Sequence, residues 1–404
     1  MSSSVPDQSA SPIEVFLVFL RLGLTSFGGP VAHLGYFQRE LVVKRQWLDT
    51  AQYSSLLALC QFLPGPASSQ AGFALGLLRA GWAGALAAFV GFTLPSALLM
   101  LAAALLFEQL TPEVTAPLIH GLKLVAAVVV ADAVWSMAGK LCPDTPRRLL
   151  ALLAALLLVW QSASVWLTVG LVVAGALLGM WQLRHLPTAV SVALPLPYGR
   201  RLAWGLLLVF VLLLAGLPLV AGLAPWLGLA DSFYRAGALV LGGGHVVLPL
   251  LEQELVVSGQ VSASEFLTGY GLAQAMPGPL FTFAAWLGAL AGALSLGPVG
   301  GAVLALLALF LPGFLLLLAV LPGWFWLVQQ PRVWAAVAGA NAVVVGILLA
   351  ALLNPVLVSA LGSVWDGVII LVGCWWLMVR KGSSLWLIAG CVTAAVVVPW
   401  LTVF

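Results

Sequence analysis

Two short segments with the same unusual chemistry lie about half a chain apart. Residues 61–70 read Gln-Phe-Leu-Pro-Gly-Pro-Ala-Ser-Ser-Gln, and residues 274–282 read Gln-Ala-Met-Pro-Gly-Pro-Leu-Phe-Thr. Prolines on both sides of a glycine forbid a continuous helix, because proline lacks an N–H group and glycine lets the backbone bend. The helix that restarts after each break presents unpaired N–H groups and partial positive charge. Paired breaks of this kind predict a solute site inside a transporter.

The residues after the first break have hydrogen-bond donors that can converge on an oxyanion. Ser68, Ser69 and Gln70 add two hydroxyls and an amide to the free N–H groups, whereas the second break offers only Thr282. We therefore expect the first half to contribute more; the alternative is that both breaks are packing kinks. The residues predicted to bind the anion are Arg21, Gly28, Gly29, Pro64, Gly65, Pro66, Ser68, Ser69, Gln70, Lys123, Gly243, Pro277, Gly278, Pro279 and Thr282.

Two of these residues are bases in apolar surroundings. Arg21 lies among leucines about two turns before Gly28, where its planar fork would suit an oxyanion, although it could also reach the membrane surface. Lys123 could neutralise the anion, reach the surface or pair with another helix. Asp132 follows Lys123 by nine residues, which places it on nearly the opposite helix face, so we expect no pair within that helix.

Four further residues could carry protons. His33, Glu40, His245 and Glu254 follow two glycine-rich segments, and imidazoles and carboxylates inside membranes can relay protons. They could couple solute movement to a proton gradient. The alternative is that the two glutamates belong to the polar faces of amphipathic helices at the membrane surface.

The composition excludes most other classes of protein. The chain has 404 residues, of which 63% are hydrophobic and 7% charged, and its mean hydropathy is +1.13. Such a composition predicts an all-α polytopic membrane protein. The four cysteines show no metal-binding spacing, the net charge of +3 is too small for nucleic-acid binding, and no catalytic cluster is visible. We expect no cofactor, no metal and no enzymatic activity.

The two motifs belong to a longer internal repeat. Residues 28–33 align with 242–247, Pro95 with Pro312, and Lys123 with Asn341. The repeat predicts a polar tail at 1–13, a first transporter repeat at 14–183, a linker with an unpaired helix at 184–230, and a second repeat at 231–404. Spans are predicted near 82–107, 115–138, 147–161, 164–183, 297–320, 332–353, 356–379 and 385–404, with the unpaired helix at 201–223.

The basic residues predict how the halves lie in the membrane. Short loops rich in Lys and Arg face the cytoplasm, and loops at Lys44, Arg79, Lys140 and Arg184 fit one orientation of the first half. Loop 108–114 holds Glu108 without a base and is expected outside. The unpaired helix reverses the direction in which the second half enters the membrane, which places the basic residues Arg332, Arg380 and Lys381 in loops expected in the cytoplasm. The halves therefore form an inverted-topology repeat, with the N-terminus cytoplasmic and the C-terminus periplasmic.

The motifs also resemble a known family. Leu-Thr-Ser-Phe-Gly-Gly-Pro at 24–30 followed by the 61–70 segment, with Gly-Gly-Gly-His ending at His245 and Met-Pro-Gly-Pro ending at Pro279, is similar to the chromate ion transporter family in its long two-domain form. The resemblance implies a bacterial inner-membrane protein that exports chromate and confers resistance.

Two functional alternatives stay open: a transporter of sulfate or another tetrahedral oxyanion, since pockets discriminate isosteres weakly, and an anion channel of the same architecture. The expected partners are chromate, sulfate as a competing analogue and the lipid bilayer, with a homodimer as a further possibility and no nucleic acid.

Overall fold

The chain is almost entirely helical. The computed structural model describes residues 11–107, 109–161, 165–183, 194–292 and 295–401, and these residues contain no β-strand. The first half comprises α1 (Pro12–Thr25), α2 (Gly29–Phe37), α3 (Thr50–Phe62), α4 (Ala67–Phe107), α5 (Pro112–Leu141), α6 (Thr145–Trp160) and α7 (Val165–Gln182). The linking helix is α8 (Arg200–Val220).

The second half repeats this order with more interruptions. It comprises α9 (Pro225–Leu239), α10 (Val247–Leu255), α11 (Ala263–Ala273), α12 (Phe283–Gly292), α13 (Gly297–Val320), α14 (Trp324–Leu327), α15 (Pro331–Ala351), α16 (Val358–Ala360), α17 (Val364–Cys374) and α18 (Ser384–Leu401). π-helical segments continue α2 (Gln38–Lys44), α15 (Leu352–Leu357) and α17 (Trp375–Val379). Short 3-10 turns precede α10 (Gly244–Val246) and α12 (Leu280–Thr282).

Helix breaks occur where the prolines and glycines predict them. α3 ends at Phe62 and α4 begins at Ala67, so residues 63–66 form the first Pro-Gly-Pro break. α11 ends at Ala273, and the chain becomes helical again at Leu280, after the second break. α4 corresponds to both α12 and α13, because Ala80 and Gly81 leave helical geometry and divide it. The predicted fold class is confirmed.

Within the described part of the chain, five helices are long and apolar enough to cross a membrane, judged by length and composition: Ala67–Phe107, Glu113–Leu141, Arg200–Leu223, Gly297–Leu327 and Pro331–Ala360. One predicted span is divided differently. The stretch predicted near 356–379 contains a turn at 361–363, because the Ser363 side chain caps a new helix at Val364. Residues 1–10 of the predicted tail, Glu108 and Arg184 lie outside the described residues.

The two halves are intertwined through equivalent helices. α15 of the second half packs on α6 and α7 of the first, and α5 of the first half packs on α17 and α18 of the second. Gly175 and Gly179 allow α7 to lie against Gly339 on α15. Close backbone contact through small residues is the usual means of helix association in lipid. α5 and α15 also pack on each other, so each of them contacts helices of both halves.

Candidate anion-binding site

Each Pro-Gly-Pro break is hydrogen-bonded to the opposite half. The Gly65 N–H donates to the carbonyl of Val240 at 2.7 Å, and the Gly278 N–H donates to the carbonyl of Ser26 at 2.9 Å. Val240 and Ser26 each lie just before the glycine-rich segment of their own half. These two N–H groups are therefore engaged within the protein, and a solute would meet other amides.

Both breaks are also tightly packed. Gly65 and Gly278 have φ angles of +119° and +93°, which L side chains rarely adopt. A Cβ on Gly65 would lie 2.9 Å from the Cα of Gly313, and one on Gly278 would lie 3.0 Å from the Ser96 hydroxyl oxygen. Ser96 and Gly313 follow the repeat-related prolines Pro95 and Pro312, so each break contacts the same position on the other half's long helix.

The polar residues after the first break hold it in place. The Gln70 amide nitrogen donates to the carbonyls of Pro64 and Gly313, both at 2.9 Å. Gln70 is fully buried, and Ser68 and Ser69 are each 3% exposed. In the second half the Thr282 hydroxyl donates to the Pro279 carbonyl at 2.7 Å. Gln70 and Thr282 thus stabilise the breaks, whereas the Ser69 hydroxyl is buried without a hydrogen-bond partner. None of these side chains lines the two cavities described below.

The role of Gln70 gives a first prediction. Gln70→Leu keeps the side-chain volume but leaves the carbonyls of Pro64 and Gly313 without this donor, which should lower the free energy of unfolding by about 1–3 kcal/mol. Thermal unfolding in detergent measures the loss. Gln61→Leu is the matched control, because Gln61 is exposed near the same break. Equal melting temperatures for the two variants would show that the hydrogen bonds from Gln70 do not stabilise the break.

Two adjacent cavities lie between the halves, on the face of α5 that carries polar residues. Cavity A has a volume of about 550 Å³ and cavity B about 690 Å³. Both are lined by Gly28, Asp132, Ser136, Lys140 and His245. Cavity A adds Gln61, Gly65, Ala67, Gly242, Gly243 and Gly244, and cavity B adds Gly29, Gln274, Lys381, Ser383 and Ser384.

Helix N-termini from both halves meet at these cavities. α2 begins at Gly29 and the second-half turn begins at Gly244, and no side chain caps either start. Ala67, the first residue of α4, lines cavity A as well. The first N–H groups of a helix have no acceptor within it and favour negative charge. Their convergence makes cavity A suited to an anion.

Three charged side chains line the cavities. Asp132 and Lys140 project from α5, and Lys381 follows the π-helical end of α17. The two ammonium groups lie within electrostatic reach of the carboxylate. Cavity B therefore carries one positive charge in excess, with the hydroxyls of Ser136, Ser383 and Ser384 as hydrogen-bond donors. Sequence analysis used Lys140 and Lys381 only as markers of topology.

The two histidines occupy different positions. His245 lines both cavities, and its Nδ1 atom lies 2.7 Å from the Tyr270 hydroxyl oxygen, with which it shares a hydrogen bond. His33 is 1% exposed, and neither of its ring nitrogens makes a well-formed hydrogen bond. Its ring lies edge-on to Phe92. Only His245 can meet a solute in this conformation.

Several predicted binding residues lie elsewhere. Arg21 is exposed on α1 and lines neither cavity. Lys123 is nine residues before Asp132 on α5, so it lies on the face opposite the cavities. Pro64, Pro66, Pro277, Gly278 and Pro279 form the backbone of the breaks and line neither cavity.

Glu40 is held by two bases at the end of α2. Its carboxylate oxygens lie 3.1 Å from Lys44 Nζ and 3.0 Å from Arg45 Nε, in a π-helical segment outside the long apolar helices. Burial opposes ionisation, but these two bases outweigh it and hold the pKa of the Glu40 carboxyl below its ordinary value. A group that stays ionised at neutral pH is a poor proton carrier. This geometry favours the surface role for Glu40.

Glu254 belongs to a more acidic cluster. One guanidinium nitrogen of Arg235, Nη2, lies 2.9 Å from Glu254 Oε2 and 2.7 Å from Asp231 Oδ2. The other carboxylate oxygen of Asp231 is buried without a hydrogen bond. Two carboxylates and one base leave one negative charge uncompensated, which a proton would neutralise. Sequence analysis missed Asp231, because its repeat counterpart is the apolar residue Leu17.

Comparison with known proteins gives a consistent result. The profile of the family described as chromate transporter matches residues 13–180 and 227–396, once in each half. A chromate transport protein from Pseudomonas aeruginosa is 31% identical, over 89% of this chain and 84% of that protein. One from Cupriavidus metallidurans is 28% identical, over 87% of this chain and 84% of its own length. A probable chromate transport protein from Synechococcus elongatus is 28% identical, over 82% of this chain and 81% of that protein. No solved structure matches the chain.

Proposed function

The chain belongs to the chromate transporter family, and we propose that it is a secondary transporter that exports chromate from the cytoplasm across a bacterial inner membrane and so confers resistance. The observation that carries the proposal is the pair of adjacent cavities, where bases and helix N-termini from both halves converge. A dianion that leaves water needs compensating charge and hydrogen bonds, and these groups supply both.

The cavities also support a direction of loading. Lys140 and Lys381, which line them, mark loops that the positive-inside pattern assigns to the cytoplasm. In this orientation the N-terminus is cytoplasmic, the C-terminus is periplasmic, and the cavities open inward. Chromate would enter from the cytoplasm past the two lysines and bind at the glycine-rich segments that contain Gly28 and Gly243.

Membrane potential is sufficient to drive this movement. With the interior negative, an anion moving outward gains about 2.3 kcal/mol per charge for every 100 mV. Chromate uptake into inside-out vesicles should therefore be saturable and should rise with a lumen-positive potential. Chromate uptake that does not saturate with concentration, or that does not change with the membrane potential, would refute the proposal.

The alternatives make different predictions in the same vesicles. A carrier exchanges substrate, so unlabelled chromate in the lumen should accelerate entry of labelled chromate, whereas an anion channel would show no such stimulation. Excess sulfate should compete at the cavity because it matches chromate in shape and charge. A larger kcat/KM for sulfate than for chromate would identify sulfate as the substrate.

Proton coupling, if it operates, belongs to the Asp231, Arg235 and Glu254 cluster. Asp231→Asn removes the uncompensated charge, so we expect the part of chromate flux that responds to an imposed pH gradient to disappear while the response to potential remains. Asp49→Asn is the control, because Asp49 caps α3 and asparagine caps equally well. An unchanged pH-gradient response in Asp231→Asn would exclude the cluster.

A further inference from the structure

A third cavity lies against α15. Cavity C has a volume of about 210 Å³, and its walls include Val159 at the end of α6, Pro249 and Glu252 on α10, and Ala350 and Asn354 on or just after α15. It shares no lining residue with cavities A and B. None of the functions discussed above uses it.

The internal repeat relates cavity C to cavity B. Val129, Asp132, Ser136 and Leu377 line cavity B, and their counterparts Ile347, Ala350, Asn354 and Val159 line cavity C. The same offset of 218 positions separates the two members of every pair. The two short helices that follow the glycine-rich segments, α2 and α10, also correspond, and each contributes to its own cavity. Cavity C is thus the equivalent of cavity B in the second half.

The two equivalent cavities differ in size. Cavity B measures about 690 Å³ and cavity C about 210 Å³. Transporters built from inverted repeats expose their central site to one side at a time, because equivalent parts of the halves exchange conformations. A large cavity in one half and a small equivalent in the other is the arrangement expected when one side is open.

They also differ in charge. Cavity B carries Lys140, Lys381 and Asp132. In cavity C the position of Asp132 is taken by Ala350, and Val358, the counterpart of Lys140, does not line it. Among the described residues of its wall, Glu252 is the one that is charged. A dianion is attracted by the bases of cavity B and repelled by the carboxylate of cavity C.

We propose that cavity C is the vestibule through which a tetrahedral oxyanion leaves on the outer side, and that Glu252 weakens its binding there. This proposal rests on the export function proposed above. Without a gradient, Vmax/KM must be equal in the two directions, because a transporter cannot shift an equilibrium. A weak outer affinity is therefore matched by a high Vmax for inward movement. Its advantage to an exporter is that oxyanion already released outside occupies the outer vestibule little and does not inhibit further export.

Access to the two cavities can be measured without any substrate. In Asn354→Cys the new thiol should react with a membrane-impermeant maleimide in right-side-out vesicles, and in Ser136→Cys it should react in inside-out vesicles. Labelling of the wild-type chain gives the background from its four native cysteines. Reaction of Asn354→Cys from the cytoplasmic side, or from neither side, would overturn the assignment of cavity C.

The role of the carboxylate is tested by flux. Glu252→Gln should lower the KM for chromate presented from the outer side by roughly 3- to 10-fold and leave the cytoplasmic KM unchanged. Glu265→Gln is the matched control: Glu265 belongs to the capping box of α11, lines none of the three cavities, and glutamine preserves the box. An unchanged outer KM in Glu252→Gln would overturn the role of Glu252.

The labelling and flux experiments distinguish a failure of the vestibule proposal from a failure of the proposed function. If the wild-type chain moves no chromate, the proposed function is wrong, but the labelling pattern still decides whether cavity C opens to the outside. If the wild-type chain moves chromate but Asn354→Cys is not labelled from the outer side, the proposed export function is retained and the assignment of cavity C as the outer vestibule is wrong.

Discussion

Removing the bases of the cavities should have the largest effect on transport. We expect Lys140→Gln and Lys381→Gln each to raise the cytoplasmic KM for chromate by roughly 10-fold, and the double variant by roughly 100-fold, since each loses an attraction of about 1.4 kcal/mol to a dianion. The loss follows from the position of both side chains in the wall of cavity B. Initial rates of chromate uptake into inside-out vesicles measure it.

A base outside the cavities provides the control. Lys44 lies on the same predicted side of the membrane, its side chain is 60% exposed, and its partner Glu40 keeps Arg45 when Lys44 is replaced. Lys44→Gln should therefore leave the KM unchanged. A KM that rises equally in Lys44→Gln and Lys140→Gln would mean that general surface charge attracts the anion. The assignment of the anion site to cavities A and B would then be wrong.

Replacing Gly278 with alanine should have the largest effect on the fold. The φ angle of +93° disfavours any Cβ, and the added atom would lie 3.0 Å from the Ser96 hydroxyl oxygen and 3.2 Å from the Phe92 carbonyl oxygen. Strain at this φ and crowding together cost about 2–5 kcal/mol. We expect a lower melting temperature in detergent and loss of chromate flux, because the hydrogen bond from Gly278 to Ser26 joins the halves.

Two further variants separate strain at this contact from general damage. Gly216→Ala places a Cβ on the linking helix α8, where no atom lies within 4 Å, and should retain stability and flux. Ser96→Gly combined with Gly278→Ala removes the hydroxyl from the contact and should recover part of the lost melting temperature. A Gly278→Ala protein as stable and active as Gly216→Ala would show that the contact of Gly278 with Ser26 and Ser96 of the other half is dispensable.

Much of the architecture could be predicted because it depends on local chemistry. Pro64, Gly65 and Pro66 interrupt a helix in any surroundings, and their repetition at Pro277 to Pro279 predicts two similar halves. Both breaks are confirmed, as are the helical fold and the family. The orientation of the halves in the membrane stays a prediction, because it follows from the distribution of Lys and Arg alone.

The site was harder to predict because it depends on contacts between distant residues. Lys140 and Lys381 are far apart in the sequence and meet at one cavity only because α5 packs on α17 and α18 of the other half. Equally, nothing local indicates that the N–H of Gly65 is engaged by Val240. Arg21 and its counterpart Arg235 look alike in the sequence, yet only Arg235 has two carboxylates beside it, since Asp231 has no equivalent in the first half.

An oxyanion should bind between the two glycine-rich segments, at Gly28 and Gly243, within reach of the bases that line the cavities. Anomalous diffraction from crystals of the protein grown with chromate locates the chromium atom directly. We expect one chromium peak in cavity A, between Gly28 and Gly243 and on the side of Lys140. A peak beside Arg21 or Lys123, or none in cavity A at saturating chromate, would contradict it.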